Sequence, residues 1–165
     1  MKNYRFDHEK LDVYQLELKF IAWVTPLIEE VKASAGPKVR EVCNHLDRAS
    51  LSALFNTAEG NGKRQSKLRG RFFDDARGSA AECASCLDAL VAKRVCAEDR
   101  VDKGKALLHR IVSILTKLVM RFAPPTELRE EVVRYNSDNM GEDEDEYEKH
   151  AHEIINPARP RNREK

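Results

Sequence analysis

Four stretches in which apolar residues recur every three or four positions, three of them closed by glycine or proline, constrain this chain more than any other feature. In the first, over about residues 9–33, Val13, Phe20, Val24, Leu27 and Val31 fall on one helical stripe. Pro26 lies inside it and is expected to kink or divide the helix. "SAGP" at 34–37 punctuates the chain and puts Pro37 where a first helical turn accepts it. The second stretch, about 37–60, carries Val39, Val42, Leu46, Ala49 and Ala53 on one face. "GNG" at 60–62 tolerates positive φ and is expected to end that helix. The third, about 67–95, carries Phe72, Phe73, Ala76, Ala80, Cys83, Leu87, Leu90 and Val91, with Ser66 as its expected N-cap. The fourth, about 98–122, carries Leu107, Leu108, Ile111, Ile114, Leu115, Leu118, Val119 and Phe122 and stops at the paired prolines 124–125. No period-two alternation appears. The pattern predicts an all-α protein, an antiparallel up-down four-helix bundle over residues 1–125.

Beyond the bundle the signal changes. "TELREEVVRY" is compatible with a short helix at 126–135, after which come an acidic run, "GEDEDEYE" (141–148), and a basic, proline-containing end. Such segments cannot bury enough apolar surface to offset ordering entropy, so 126–165 is expected to be a mostly disordered charged tail.

The first two helices are apolar on two sides. Leu11, Leu18 and Ala22 lie opposite the first stripe, and Leu51, Phe55 and Ala58 lie on the reverse of the second. A helix in a lone bundle needs one stripe about 100° wide. The second stripe has to meet something else, and another copy of the same chain is the simplest partner, which predicts a homo-oligomer.

The formal net charge of +1 hides an asymmetry. Residues 1–125 hold 22 Lys and Arg against 16 Asp and Glu, and residues 126–165 hold 7 against 12. No apolar run approaches the roughly 20 residues needed to cross a bilayer, so no membrane association is expected. The N-terminal stretch lacks the apolar core of a signal peptide, which makes the cytoplasm the expected location and free thiols the expected state of Cys43, Cys83, Cys86 and Cys96.

Several chemistries fail on spacing. Cys83 and Cys86 form a CxxC, but in helical context and without a second pair, so they read as small core side chains. "EGNGKRQS" lacks the GxxxxGK[ST] spacing of a phosphate loop, and "KHAHE" is not HExxH. Glu59 and Glu82 have no histidine three residues on, as bundle di-metal sites require. Arg48 and Glu59 on one helix, and Asp75 and Glu82 on the next, read instead as a structural ion-pair network between helices or subunits. No catalytic residue, metal site or cofactor is expected.

The junction between the second and third helices is different. Lys63, Arg64, Lys67, Arg69 and Arg71 crowd nine residues, with no acid between Glu59 and Asp74. Repeated around an oligomer, such a patch suits the phosphate backbone of RNA or DNA, which is bound without sequence preference. A solvated basic turn is the competing reading. Lys93, Arg94 and Arg100 form a second basic region near the next turn.

The stretches "FDHEKLDVYQLELKF", "RASLSALFNTAEGNGKRQS" and "RFFDDARGSAAEC" resemble the small helical proteins encoded in intervening sequences of bacterial large-subunit ribosomal RNA genes. The residues that carry the resemblance are Asn56, Ala58, Glu59, Gly60, Arg71, Phe72, Ala76, Gly78, Ser79 and Glu82. Thr57 and Asp75 stand where the family pattern has aliphatic residues. The family is similar in fold to the accessory variability proteins of diversity-generating retroelements, basic pentamers that bind a reverse transcriptase and nucleic acid. The resemblance therefore implies a homo-pentamer with a basic surface, with RNA, DNA or a reverse transcriptase as partner, and no enzymatic activity is established for the family. The function expected is that of a non-catalytic nucleic-acid-binding accessory oligomer; the alternative is a structural, protein-interaction oligomer.

Overall fold

A computed structural model describes residues 4–123. They fall within the first of the two units, Met1–Pro124 and Pro125–Lys165, into which the chain divides. The short helix expected at 126–135 and the disorder expected after it lie outside the described residues. Four long helices make up the bundle: α1 (Asp12–Ala35), α2 (Arg40–Gly62), α3 (Ser66–Ala92) and α4 (Glu98–Phe122). Short 3₁₀ turns at Asp7–Lys10 and Gly36–Val39 lead into α1 and α2.

Each helix packs on the next, and α4 closes the bundle against α1. Pairs of residues fix the directions. Thr57, late in α2, meets Glu17, early in α1. Ser52 of α2 meets Ser79 of α3, and Leu46, earlier in α2, meets Cys83, later in α3. Arg100, at the start of α4, reaches Glu30, late in α1. Only alternating directions allow all of these, so the bundle runs up-down-up-down, and every element among the described residues is helical.

Most of the stripe residues read from the sequence form the core, while Val42, Phe72, Val91, Leu107, Ile114, Leu118 and Phe122 are half-buried at its margin. Val13, Phe20, Val24, Leu27 and Val31 of α1 are each no more than 5% exposed. Phe73, Leu46, Leu87, Leu90, Ile111 and Leu115 are the largest fully buried apolar side chains. Each such burial is worth about 1.5–3 kcal/mol over an exposed side chain. Pro26 does not divide α1. It sits on the exposed face between the buried Val24 and Leu27, whose packing holds the helix through the missing donor.

The helix ends depart from expectation in three places. Gly60 and Gly62 do not reverse the chain: both are helical, and α2 runs through Gly62 to an extended Lys63. Gly60 is required for packing instead. A Cβ there would stand 3.0 Å from the Phe72 Cβ and 3.2 Å from the Phe73 ring, so α2 and α3 touch almost backbone to side chain. Secondly, α3 ends at Ala92 rather than near 95, because Arg94 takes a left-handed φ of 58°. The Val95 amide then donates to Leu90 O (3.2 Å) and the Arg94 amide to Val91 O (2.8 Å), which satisfies two orphan carbonyls. Thirdly, Ser66 does not cap α3. Its hydroxyl donates to Phe122 O at 3.0 Å and pins the last turn of α4.

The second apolar face of the α1–α2 pair remains uncovered in the single chain. Leu18 is 40% exposed, Leu51 37% and Phe55 62%.

Gly104 is a further close approach, with the Trp23 indole lying directly against its Cα. Gly104→Ala, although it raises helix propensity, is expected to destabilise the bundle by roughly 1–3 kcal/mol through overpacking. Gly78→Ala on the open face of α3, where a Cβ meets nothing within 4 Å, is expected to stabilise by about 0.5–1 kcal/mol. Denaturant unfolding of the two variants checks both signs.

Candidate nucleic-acid interface

Antiparallel packing brings the start of α1, the end of α2, the start of α3 and the end of α4 to one end of the bundle. Residues 4–12, 58–72 and 117–123 occupy it. They hold nine cations (Arg5, Lys10, Lys63, Arg64, Lys67, Arg69, Arg71, Lys117, Arg121) against four carboxylates (Asp7, Glu9, Asp12, Glu59). The opposite end, residues 28–48 and 88–104, holds eight of each. The residues between the ends are also balanced, four against four. The whole positive excess of the described bundle therefore sits at one end. The second basic region expected around Lys93, Arg94 and Arg100 lies at the balanced end, where Arg100 is bound to Glu30 at 2.7 Å.

The five junction cations divide by role. Lys63 is half-buried, bonded to Glu59 at 2.8 Å, and lies 4.6 Å from the centroid of the Phe72 ring. Arg69 is also half-buried: its Nη2 donates to Asn61 O at 3.1 Å, and its guanidinium lies 5.0 Å from the Phe122 ring centroid. These two side chains fasten the junction to the ends of α2 and α4. Arg64, Lys67 and Arg71 are exposed. Arg121, exposed at the end of α4, flanks them, its guanidinium 5.4 Å from the same Phe122 ring. Gly70 packs against Ala123, where any Cβ would collide, so α3 and α4 meet closely beneath the charges.

The residues expected to form an ion-pair network are spread along the surface. Within the chain Glu59 pairs with Lys63, and Glu82 pairs with His45 at 3.3 Å. Arg48 and Asp75 are exposed. The α2–α3 register set by Ser52 and Ser79 puts Glu82 roughly ten residues, or about 15 Å, along the axis from Glu59. That separation rules out a paired-carboxylate site within one chain. Among the described residues no cluster of His, Cys, Asp and Glu is arranged to hold a metal ion. Cys43, Cys83 and Cys86 are buried free thiols. Burial pushes Cys83 up to about 12, so it is inert at neutral pH.

One functional-looking group was not anticipated. Glu17 is only 2% exposed and lies on the core stripe of α1 between Val13 and Phe20. The hydroxyl of Thr57, itself fully buried, donates to its Oε1 at 2.7 Å, while Oε2 has no hydrogen-bond partner. Burial raises the carboxyl from 4.5 to about 8, opposed by the Thr57 bond, with no charged side chain contributing. At neutral pH Glu17 is therefore mainly a neutral acid. The sequence carried a faint signal for it, a polar residue on the apolar stripe of each of two adjacent helices.

These features define a small helical bundle with a single cationic end. The profile of the family described as 23S rRNA-intervening sequence protein matches residues 9–117, most of the bundle, and the chain belongs to that family. Neither a curated protein nor a solved structure gives a significant match. No described helix is long and apolar enough to cross a membrane.

The Glu17–Thr57 pair lies inside the matched span and has a testable sign. Its folded value near 8 exceeds the ordinary 4.5, so the folded state binds more protons between those limits. Stability should be fully present below about pH 4.5, fall as pH rises toward 8, and level off above; the loss is of order 4 kcal/mol. Glu17→Gln is expected to remove most of this slope and to raise the thermal midpoint at pH 8 while changing it little at pH 5. Calorimetry across that range measures it.

Proposed function

We propose that this protein is a non-catalytic homo-oligomer that binds RNA or DNA through the cationic end of its bundle. It would act in the cytoplasm as an accessory to ribosomal RNA or to a nucleic-acid enzyme such as a reverse transcriptase. The observation that carries this reading is the distribution of charge: all of the positive excess is gathered at one end, and three exposed junction cations face outward there. A polyanion is the ligand such an end suits, because each neutralised phosphate releases a condensed counterion.

Self-association is supported by the uncovered faces of α1 and α2. A soluble protein gains about 25 cal/mol for each Å² of such surface removed from water. The likeness to the accessory variability proteins favours five copies, and a closed ring would repeat the cationic end around its axis into a multivalent surface. The exposed Leu18, Leu51 and Phe55 equally favour a second reading, in which assembly itself is the function and the cations serve solubility.

Binding of labelled RNA and DNA as a function of salt separates the two. The wild type should bind at low salt with an affinity that falls steeply as salt rises. The triple variant Arg64→Ala/Lys67→Ala/Arg71→Ala should bind more weakly, with the slope of log affinity against log salt reduced by roughly 2–3. Equal binding by both proteins, or none by either, leaves only the structural reading. For assembly, Phe55→Glu should sediment as a smaller species than the wild type. A wild type that sediments as one copy at high concentration contradicts the oligomer.

A further inference from the structure

The cationic end carries aromatic surface that folding does not account for. Tyr4 is 82% exposed and Phe6 72% exposed. Phe6 stacks on His8 with centroids 5.7 Å apart and planes 9° from parallel, and His8 in turn meets Tyr14 edge-on at 4.8 Å. The Phe6 ring is thus held in a fixed orientation by a ladder that leads down to α1, with one of its faces turned to solvent. The other aromatics of this end are already engaged, Phe72 beneath Lys63 and Phe122 beneath Arg69 and Arg121.

Register places these rings beside the junction. Glu17 lies opposite Thr57, and antiparallel helices advance equally, so Leu11 comes level with about Lys63. The 3₁₀ turn Asp7–Lys10 accordingly packs against α2. Exposed rings at the same end of the bundle as exposed Arg64, Lys67 and Arg71 combine the two elements by which proteins hold unpaired strands: cations for the backbone and flat π-faces for the bases. A duplex keeps its base faces inside its own stack and offers the rings nothing.

Building on the nucleic-acid reading above, we infer that this end takes up a single strand, whose bases stack on Tyr4 and Phe6 while Arg64, Lys67 and Arg71 follow its phosphates. Base stacking of this kind is worth roughly 5- to 100-fold in affinity for each base engaged.

The test is fluorescence anisotropy at low salt with a labelled strand of about 20 nucleotides and its duplex, each as RNA and as DNA. The wild type should bind the strand about tenfold or more tighter than the duplex. Tyr4→Ala/Phe6→Ala should lose that preference, weakening on the strand and staying unchanged on the duplex, while Tyr4→Trp/Phe6→Trp keeps it. The Arg64/Lys67/Arg71 triple alanine variant should weaken on both. A wild type that binds duplex as tightly as strand, or an alanine double variant that keeps full affinity for the strand, overturns the inference and leaves a backbone-binding end standing. Absence of binding to any of the four probes removes both readings together. Sedimentation velocity of the double alanine variant completes the test: a smaller assembly than wild type would assign the rings to a contact between copies and overturn the inference.

Discussion

The close seating of α3 between the ends of α2 and α4 is the constraint on which the rest of this structure depends. Gly60 lets α2 approach the Phe72 and Phe73 side chains, and Gly70 lets α3 lie against Ala123. Ser66 then holds the last carbonyl of α4, and Arg69 holds the carbonyl of Asn61. Neither glycine adopts a left-handed conformation. Their value is the missing Cβ: at Gly70 a side chain would collide with Ala123, and at Gly60 it would crowd the Phe72 and Phe73 side chains.

That seating concentrates like charges, which repel. Two cations 4 Å apart in water cost about 1 kcal/mol, screened beyond roughly 8–10 Å at physiological salt. The structure limits the cost by assigning charges to different tasks. Lys63 is neutralised by Glu59 and rests on Phe72, and Arg69 rests on Phe122. Arg64, Lys67 and Arg71 lie exposed at the surface. The apolar interior beneath them supplies the stability that the charged end does not. Even there one polar pair, Glu17 and Thr57, is retained in neutral form, since an ionised carboxylate at that depth would lack compensation.

The helices were legible in the sequence because each core stripe repeats for several turns, and the antiparallel order followed from the short connections. The family was legible from the residues around Glu59 and Arg71. Local departures were not. Arg94 ends α3 in a conformation usually left to glycine, so no residue type announced the turn. Gly60 suggested a reversal because close packing and reversal call for the same residue. Glu17 was passed over because a single polar residue barely disturbs a stripe. Of the cationic end, the junction was visible as a run, whereas Arg5, Lys10, Lys117 and Arg121 join it only through topology, and spacing along one chain cannot show that.

The central claim is that the ligand meets one end of the bundle and not the other. Hydrogen–deuterium exchange of the protein with and without a bound oligonucleotide tests it most directly. Slowed exchange should be confined to residues near 4–12, 61–71 and 117–123, with 93–103 unchanged. Protection centred on 93–103, or spread evenly over both ends, would contradict it.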